Sequence, residues 1–237
     1  GNPDVPIYLG GTDGYAPDRR LLVSGWGAVE AILADFFDRG QVDLLLANAS
    51  ENSVTRDPGS FLFLGNDDAF PYEPTLKIPT TRAHGAASAD LNRDGYLDLV
   101  FCGFDNPDLL FFYGGSDGFN LDEPRRLRLE CDGKVYNDPR WVYLADFNAD
   151  GYLDLVVPMI LDDRTILLWG GPEGFSIENR QMLAVERAAC ARAADLDGDG
   201  RLDLILGGHN VTPGVPHDSF VYIYWNGREG LREDRRS

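Results

Sequence analysis

Short apolar runs recur along the chain and are separated by turns rich in glycine and aspartate. Four of these runs follow an aspartate directly: 44–47, 99–101, 155–157 and 204–206. Continuous apolar runs of this length are typical of strands that are buried on both faces. The pattern therefore predicts a protein built from short strands.

Three further kinds of strand fill each interval. A second set of apolar runs precedes a glycine-rich turn: 7–9, 61–64, 109–113, 166–169 and 221–225. A less apolar strand follows that turn, as at 126–129, and a strand of small residues precedes the next aspartate, as at 86–89. We therefore predict four strands per period. Segment 28–37 contains helix-favouring residues, but its place in the period predicts a strand, because context outweighs local propensity.

An acidic loop repeats between the small-residue strand and the apolar run. The pattern D-x-[DN]-x-D-G-x-x-D occurs at 90–98, 146–154 and 195–203, and an altered copy occupies 35–43. The first aspartates of the four copies are 55, 56 and 49 residues apart. Periods of this length, filled with short strands, indicate propeller blades or solenoid repeats.

The glycine turn is a second marker of the period. It is clearest at 114–119, 170–175 and 226–231, and weaker forms occur at 65–70 and 10–15. Five glycine turns accompany four acidic loops, which predicts about four and a half blades in this chain. Strands of small residues suit the crowded centre of a propeller, where the blades converge.

In combination, the acidic loop and the glycine turn resemble the FG-GAP/VCBS repeat family, whose best-known members are the propellers of integrin α subunits. The resemblance covers nearly the whole chain and implies an all-β fold, a β-propeller of four-stranded antiparallel blades forming one domain over 1–237. The repeats would lie near 1–25 (partial), 26–80, 81–130, 140–186 and 187–237. Family members usually close a ring of about seven blades. Two interpretations stay open: the chain is part of a seven-bladed ring, or its open blade edges meet another chain.

The acidic loop has the composition of a site for a hard cation. Calcium takes about 6–8 oxygen ligands, and a tight loop can supply most of them. The glycine at position six of the loop allows the sharp turn that brings the next carbonyl inward. We therefore expect structural Ca2+, about three ions per chain.

The resemblance assigns ligands residue by residue, with the carbonyl of position seven included. In the second blade they are Asp90, Asn92, Asp94, Tyr96 and Asp98. In the third blade they are Asp146, Asn148, Asp150, Tyr152 and Asp154. In the fourth blade they are Asp195, Asp197, Asp199, Arg201 and Asp203.

The first copy of the loop departs from this pattern. Position three is Phe37 and position five is Arg39, so two ligands are lost and a positive charge enters. One hypothesis is that the Arg39 guanidinium substitutes for the ion between Asp35 and Asp43. The alternative is that Arg39 points into water.

Composition limits the partners. The net charge is −18, and ten aspartates lie in the three intact loops, so bound calcium would offset only part of the charge. Nucleic acid and anionic membranes are poor candidates for such a protein. No apolar segment is long enough to insert into a membrane. Weak calcium sites fill where calcium is millimolar, which favours an extracellular, secreted or periplasmic location.

Three cysteines are present, and an odd number excludes complete pairing within the chain. A bridge between Cys102 and Cys131 is left open by the sequence.

Three insertions relative to the shortest repeat occupy 48–59, 130–140 and 207–219. The topology of an up-and-down blade puts all three on the side opposite the acidic loops, which we name the insertion face. Insertions gathered on one face of a repeat array often mark the binding surface. The candidate binding residues are Trp26, Arg56, His84, Asn106, Arg140, Trp141, His209 and His217. The alternative for Trp26 and Trp141 is that they fill the space between blades.

These observations predict a calcium-stabilised binding or interaction module and not an enzyme, with a protein or glycan ligand. One alternative is a lectin-type carbohydrate binder, and another is an accessory propeller of a carbohydrate-active enzyme. Carboxylates expected on the insertion face, such as Asp105 and Asp162, are better explained as solvated turn residues than as an acid/base pair.

Overall fold

In the computed structural model, residues 4–50, 55–67, 69–209 and 219–237 are described. Every named element in these segments is a β-strand. They contain no helix with the length and hydrophobicity of a transmembrane span.

The strands fall into a half-blade, four blades and a small hairpin. The half-blade consists of β1 (Val5–Tyr8) and β2 (Arg20–Val23). The first blade consists of β3 (Ala28–Ala34), β4 (Asp43–Asn48), β5 (Ser60–Phe63) and β6 (Leu76–Ile78). The second blade consists of β7 (Ala83–Ala89), β8 (Asp98–Gly103), β9 (Asn106–Phe112) and β10 (Arg125–Arg128). The hairpin consists of β11 (Glu130–Cys131) and β12 (Lys134–Val135). The third blade consists of β13 (Tyr143–Ala145), β14 (Asp154–Val157), β15 (Arg164–Leu168) and β16 (Arg180–Ala184). The fourth blade consists of β17 (Ala188–Ala194), β18 (Asp203–Gly208), β19 (Val221–Gly227) and β20 (Gly230–Arg236).

Each of the four blades is an antiparallel sheet whose strands pair in chain order. The predicted all-β fold with four-stranded antiparallel blades is therefore confirmed. Strand β3 forms in the segment whose composition favours a helix, and it pairs with β4 over its whole length. The register of the sheet thus overrides the local preference of these residues.

The hydrophobic core is divided among the gaps between neighbouring blades. One cluster joins Leu62 of the first blade to Phe112 of the second. The next clusters join the second blade to the third and the third to the fourth. The glycine turns contribute their last residue to these gaps: Phe175 stacks on Phe111 of the preceding blade, with ring centroids 5.7 Å apart. The turns of the second, third and fourth blades therefore each help to hold two blades together.

The first strands of three blades share an irregularity. Pairing with the second strand shifts between Ala28 and Glu30, between Ala83 and Gly85, and between Ala188 and Cys190. A β-bulge of this kind inserts one extra residue and redirects its side chain. In the second blade the extra residue is His84.

The three cysteines all lie in the described residues and are free thiols. The bridge between Cys102 and Cys131, which the sequence left open, is not formed.

The packing of the glycine turns gives a direct stability prediction. Phe175→Ala removes a ring that is 4% exposed, and it should lower the free energy of unfolding by about 3–5 kcal/mol. Tyr15→Ala is the matched control, because Tyr15 ends the glycine turn of the half-blade but is 77% exposed. That change should cost less than about 0.5 kcal/mol. Urea unfolding measures both, and equal losses would contradict the inter-blade role of Phe175.

Candidate metal centre

The three intact acidic loops each connect the first strand of a blade to its second strand. The aspartate at position one folds the loop by accepting the backbone N–H groups of positions five and six. Asp90 accepts them from Asp94 at 3.1 Å and from Gly95 at 2.9 Å. Asp146 and Asp195 accept the equivalent bonds in the third and fourth blades. The three loops therefore share one conformation.

Two positions of the loop adopt the left-handed backbone conformation. Position six does so as expected, with φ of 92° at Gly95, which glycine tolerates without strain. Position four does so as well, with φ of 63° at Arg93 and 57° at Ala149, and in the fourth blade this position is Gly198. The residue type at position four varies among the loops, so the repeated pattern gives no signal of this conformation.

Positions three and five are drawn into the same turn. Asn92 Oδ1 accepts the N–H of Asp94 at 3.0 Å, and Asn148 makes the equivalent bond. The residues at position seven donate their N–H groups to the carboxylate of position five: Tyr96, Tyr152 and Arg201. In the fourth blade, carboxylate oxygens of Asp195, Asp197 and Asp203 lie within 4.8 Å of one another.

Position nine closes the loop and is fully buried. Asp98, Asp154 and Asp203 each have a relative exposure of 0%. Asp154 accepts the N–H of Phe147 at 2.8 Å and the N–H of Gly170 at 2.9 Å. Because Gly170 belongs to the glycine turn, this carboxylate ties the acidic loop to that turn. Asp98 and Asp203 make the same pair of bonds in their blades.

Burial makes Asp98 and Asp154 difficult to ionise without a cation nearby. The pKa of Asp154 is raised to about 6, first by burial and then by the charges of Asp150 and Asp146. The pKa of Asp98 is also raised, again mainly by burial. A divalent cation would favour the charged form of each group. Carboxylate and amide oxygens are the donors that calcium takes, so the donor set fits this ion.

The fourth blade modifies the contact between loop and glycine turn. In the third blade, Gly170 packs so closely that a Cβ would overlap the carbonyl oxygen of Leu153. In the fourth blade the equivalent residue is Asn226, whose Nδ2 donates to the carbonyls of Leu202 at 3.1 Å and Phe147 at 2.7 Å. Phe147 lies in the acidic loop of the third blade, so this side chain links two neighbouring loops.

The altered first loop contains an ion pair in place of acidic ligands. Asp43, at position nine, is fully buried and accepts the N–H groups of Phe36 at 3.2 Å and Gly65 at 3.0 Å. The Arg39 guanidinium donates to the same carboxylate. Arg39 therefore contacts Asp43 and does not simply extend into water.

On the insertion face, two predicted binding residues meet in one cluster. Arg140 forms a bidentate pair with Asp138, at 2.8 and 3.2 Å. Its third nitrogen lies 3.3 Å from His84 Nδ1, and its Cζ lies 4.4 Å from the Phe104 ring centroid. The pKa of His84 is lowered to about 4, first by burial and then by the charge of Arg140. Neutral His84 can therefore accept the Arg140 N–H. The side chains of this cluster hold one another in place on the insertion face.

Two more predicted residues lie beside this cluster. Asn106 begins β9 directly after the two-residue turn that carries Phe104, and its Oδ1 accepts the N–H of Asp108 at 3.1 Å. Trp141 is half-buried, and its backbone packs against Gly85 of the preceding blade, where a Cβ would not fit. These contacts fix the positions of both residues on the face.

The remaining candidates are dispersed. Trp26 is half-buried against the cluster between half-blade and first blade, and Arg56 is exposed. The N–H of His209 donates to the carbonyl of Arg187 at 2.8 Å. His217 lies outside the described residues.

Sequence reasoning missed Asp138 and Phe104 as members of the insertion face. Asp138 and Arg140 are two positions apart, and side chains at that spacing share one side of an extended segment. This spacing was the available signal for Asp138. Phe104 gave none, because its contact with Arg140 joins different blades.

Known proteins share the repeat of this chain. Residues 90–157 match the family described as FG-GAP-like repeat. Phosphatidylinositol-glycan-specific phospholipase D of Bos taurus is 28% identical over 64% of this chain, and the match spans 22% of that protein's length. Crystal structures of BBS1N in complex with ARL6DN, soaked with lead or mercury, superpose with TM-scores of 0.53 and 0.51 at 13% and 15% identity. They cover 85% of this chain, which spans 54% and 55% of theirs.

At these identities the solved structures speak to the fold alone, and they agree with the blades described above. The repeat match falls on the second blade and the beginning of the third, where two intact acidic loops lie. Residues 90–157 are therefore identified as an FG-GAP-like repeat, and the chain has a β-propeller fold.

Proposed function

We propose that this chain is a calcium-stabilised binding module whose metal ions are structural. The observation that carries the proposal is the shared architecture of the three intact loops, each closed by a buried aspartate that also bonds the glycine turn. The proposed ligands are the side chains at positions one, three, five and nine with the carbonyl of position seven. The ions would number three per chain, one for each intact loop.

Calcium would act on stability by balancing charge. Two carboxylates about 4 Å apart repel each other by roughly 4 kcal/mol at an effective dielectric constant near 20. The fourth blade gathers three carboxylates within 4.8 Å. Binding to the folded state alone adds about 2.7 kcal/mol per site at a hundredfold excess over Kd. Because weak calcium sites fill only where calcium is millimolar, we propose an extracellular or periplasmic location for the protein.

We propose that the partner binds the insertion face and is a protein. Trp26 and Trp141 are both half-buried, and stacking on a sugar requires a more exposed ring. The face instead presents charged groups, among them exposed Arg56 and Asp105, which pairs with Arg82 at 3.7 Å. Charged rims of this kind steer protein association.

A binding role accounts for the site better than catalysis does. The carboxylates gathered in the acidic loops are engaged in folding those loops, and neutral His84 is engaged with Arg140. The bovine relative is named as an enzyme, but this chain matches 22% of its length. Its activity is therefore a property of that whole protein, and we propose a non-catalytic role here.

Removing calcium should destabilise the fold. In excess chelator the melting temperature should fall clearly, because the loop carboxylates then repel one another without compensation. Millimolar magnesium should restore little of the loss, since magnesium resists dehydration and requires a stricter octahedron. Differential scanning calorimetry measures both effects. An unchanged melting curve in chelator would rule out structural calcium.

The loops should differ in metal content. Metal analysis of the purified protein should give about three calcium ions per chain. Asp94→Ala and Asp150→Ala should each lose one ion, because position five is a ligand in both loops. Asp43→Ala should lose none, since its loop pairs with Arg39. A fourth ion in the unmodified protein, or one lost with Asp43, would contradict this assignment.

The insertion face can be tested by separating binding from stability. Arg140→Ala should lower the free energy of unfolding by about 3 kcal/mol, because it leaves Asp138, which is 4% exposed, as an unpaired buried charge. Arg56→Ala and Asp105→Asn should each cost less than about 0.5 kcal/mol, since asparagine tolerates the left-handed backbone of residue 105. If these exposed residues contact the partner, each substitution should weaken partner binding about tenfold, which corresponds to about 1.4 kcal/mol.

The partner itself can be found by pull-down and by a glycan array in calcium. Normal binding of a captured protein by both exposed variants would show that the insertion face is not the interface. Binding to the glycan array without capture of any protein would indicate a glycan ligand instead of a protein partner.

A further inference from the structure

The altered first loop keeps the conformation of the intact loops. Asp35 accepts the N–H groups of Arg39 at 2.9 Å and Gly40 at 2.6 Å, as position one does in the other blades. Positions four and six are again left-handed, with φ of 51° at Asp38 and 71° at Gly40. The loop therefore folds in the same way without acidic residues at positions three and five.

Charge at the four ligand positions of this loop is balanced differently. Positions one, three, five and nine carry three carboxylates in each of the second and third blades. A dication would bring each of those loops to a net charge of −1. In the first loop the same positions hold Asp35, Asp43 and Arg39, so the net charge is already −1. The arginine alone thus achieves the balance that calcium would bring in the second and third blades.

The guanidinium also lies against the group that most needs a counter-charge. Asp43 is fully buried, and the Arg39 side chain, which is 35% exposed, donates to its Oδ1. The same nitrogen is 3.4 Å from the carbonyl of Gly65, in the glycine turn. Arg39 therefore sits between the acidic loop and the turn.

Position three of this loop has acquired a different task. Phe37 packs edge-to-face on Phe119 of the second blade, with ring centroids 5.6 Å apart. Phe119 ends the glycine turn of that blade and also contacts Phe36 at 6.2 Å. The position that supplies an oxygen ligand in the intact loops here supplies an apolar contact between blades.

From this arrangement we propose that the first loop is a cation site whose occupant is the chain's own Arg39, so that the first blade is independent of calcium. The inference deepens the proposed function, since it rests on calcium filling the other three loops. It assigns the chain one self-sufficient blade next to three that depend on metal.

Matched substitutions at position five test the proposal. Arg39→Gln removes the charge and keeps most of the side chain, and Asp94→Asn does the same in an intact loop. Arg39→Gln should lower the melting temperature by about 3–6 °C, equally in calcium and in excess chelator. Asp94→Asn should lower the melting temperature only in calcium, because in chelator the substitution relieves repulsion between the loop carboxylates. If Arg39→Gln leaves the melting temperature in chelator unchanged, the proposal is overturned, whatever the shift in calcium.

A second variant tests whether the loop can be converted. Phe37→Asn combined with Arg39→Asp restores the ligand pattern of the second blade, and metal analysis should find one additional calcium ion per folded chain. A calcium ion already present in this loop of the unmodified protein would overturn the proposal. The two proposals fail separately: a protein without calcium refutes the metal role of the intact loops, whereas the effect of Arg39→Gln in chelator still judges Arg39.

Discussion

The buried aspartate at position nine of each acidic loop is the interaction on which the rest of the structure depends. Asp43, Asp98, Asp154 and Asp203 are all fully buried, and each accepts one N–H from its own loop and one from the glycine turn. Two hydrogen bonds satisfy part of such a group, but a buried negative charge also needs a positive one. The chain meets this need with an arginine in the first blade and, we propose, with calcium in the other three.

The glycine turn connects each acidic loop to the hydrophobic core between blades. The turn that Asp154 fixes ends in Phe175, which fills the gap to the second blade and stacks on Phe111. The loops also contact one another directly, since the Arg93 guanidinium carbon lies 3.6 Å from the ring centroid of Tyr152 in the next loop. Charge balance in one loop therefore bears on the packing of the neighbouring blade.

Much of the fold could be predicted from the sequence, because a repeat states the same local information several times. The acidic loop, the glycine turn and the strand order follow from patterns within about fifty residues. The insertion face could not be predicted in the same way. His84 and Arg140 are brought together by a β-bulge and by the packing of two blades, neither of which leaves a periodic signal. Arg140 was expected to be available for a ligand, yet it holds the buried Asp138. The left-handed position four was also missed, because Arg93 and Ala149 are unusual residues for that conformation.

Hydrogen exchange at the amides that position nine holds tests the central claim most directly. The N–H groups of Gly114, Gly170 and Asn226 bond the aspartates of the three intact loops, and the N–H of Gly65 bonds Asp43. Protection of such amides reports the free energy of local opening. On chelation, the first three should lose protection while Gly65 keeps it. Equal loss at all four amides, or no loss at any, would contradict the view that calcium balances three of these carboxylates and Arg39 the fourth.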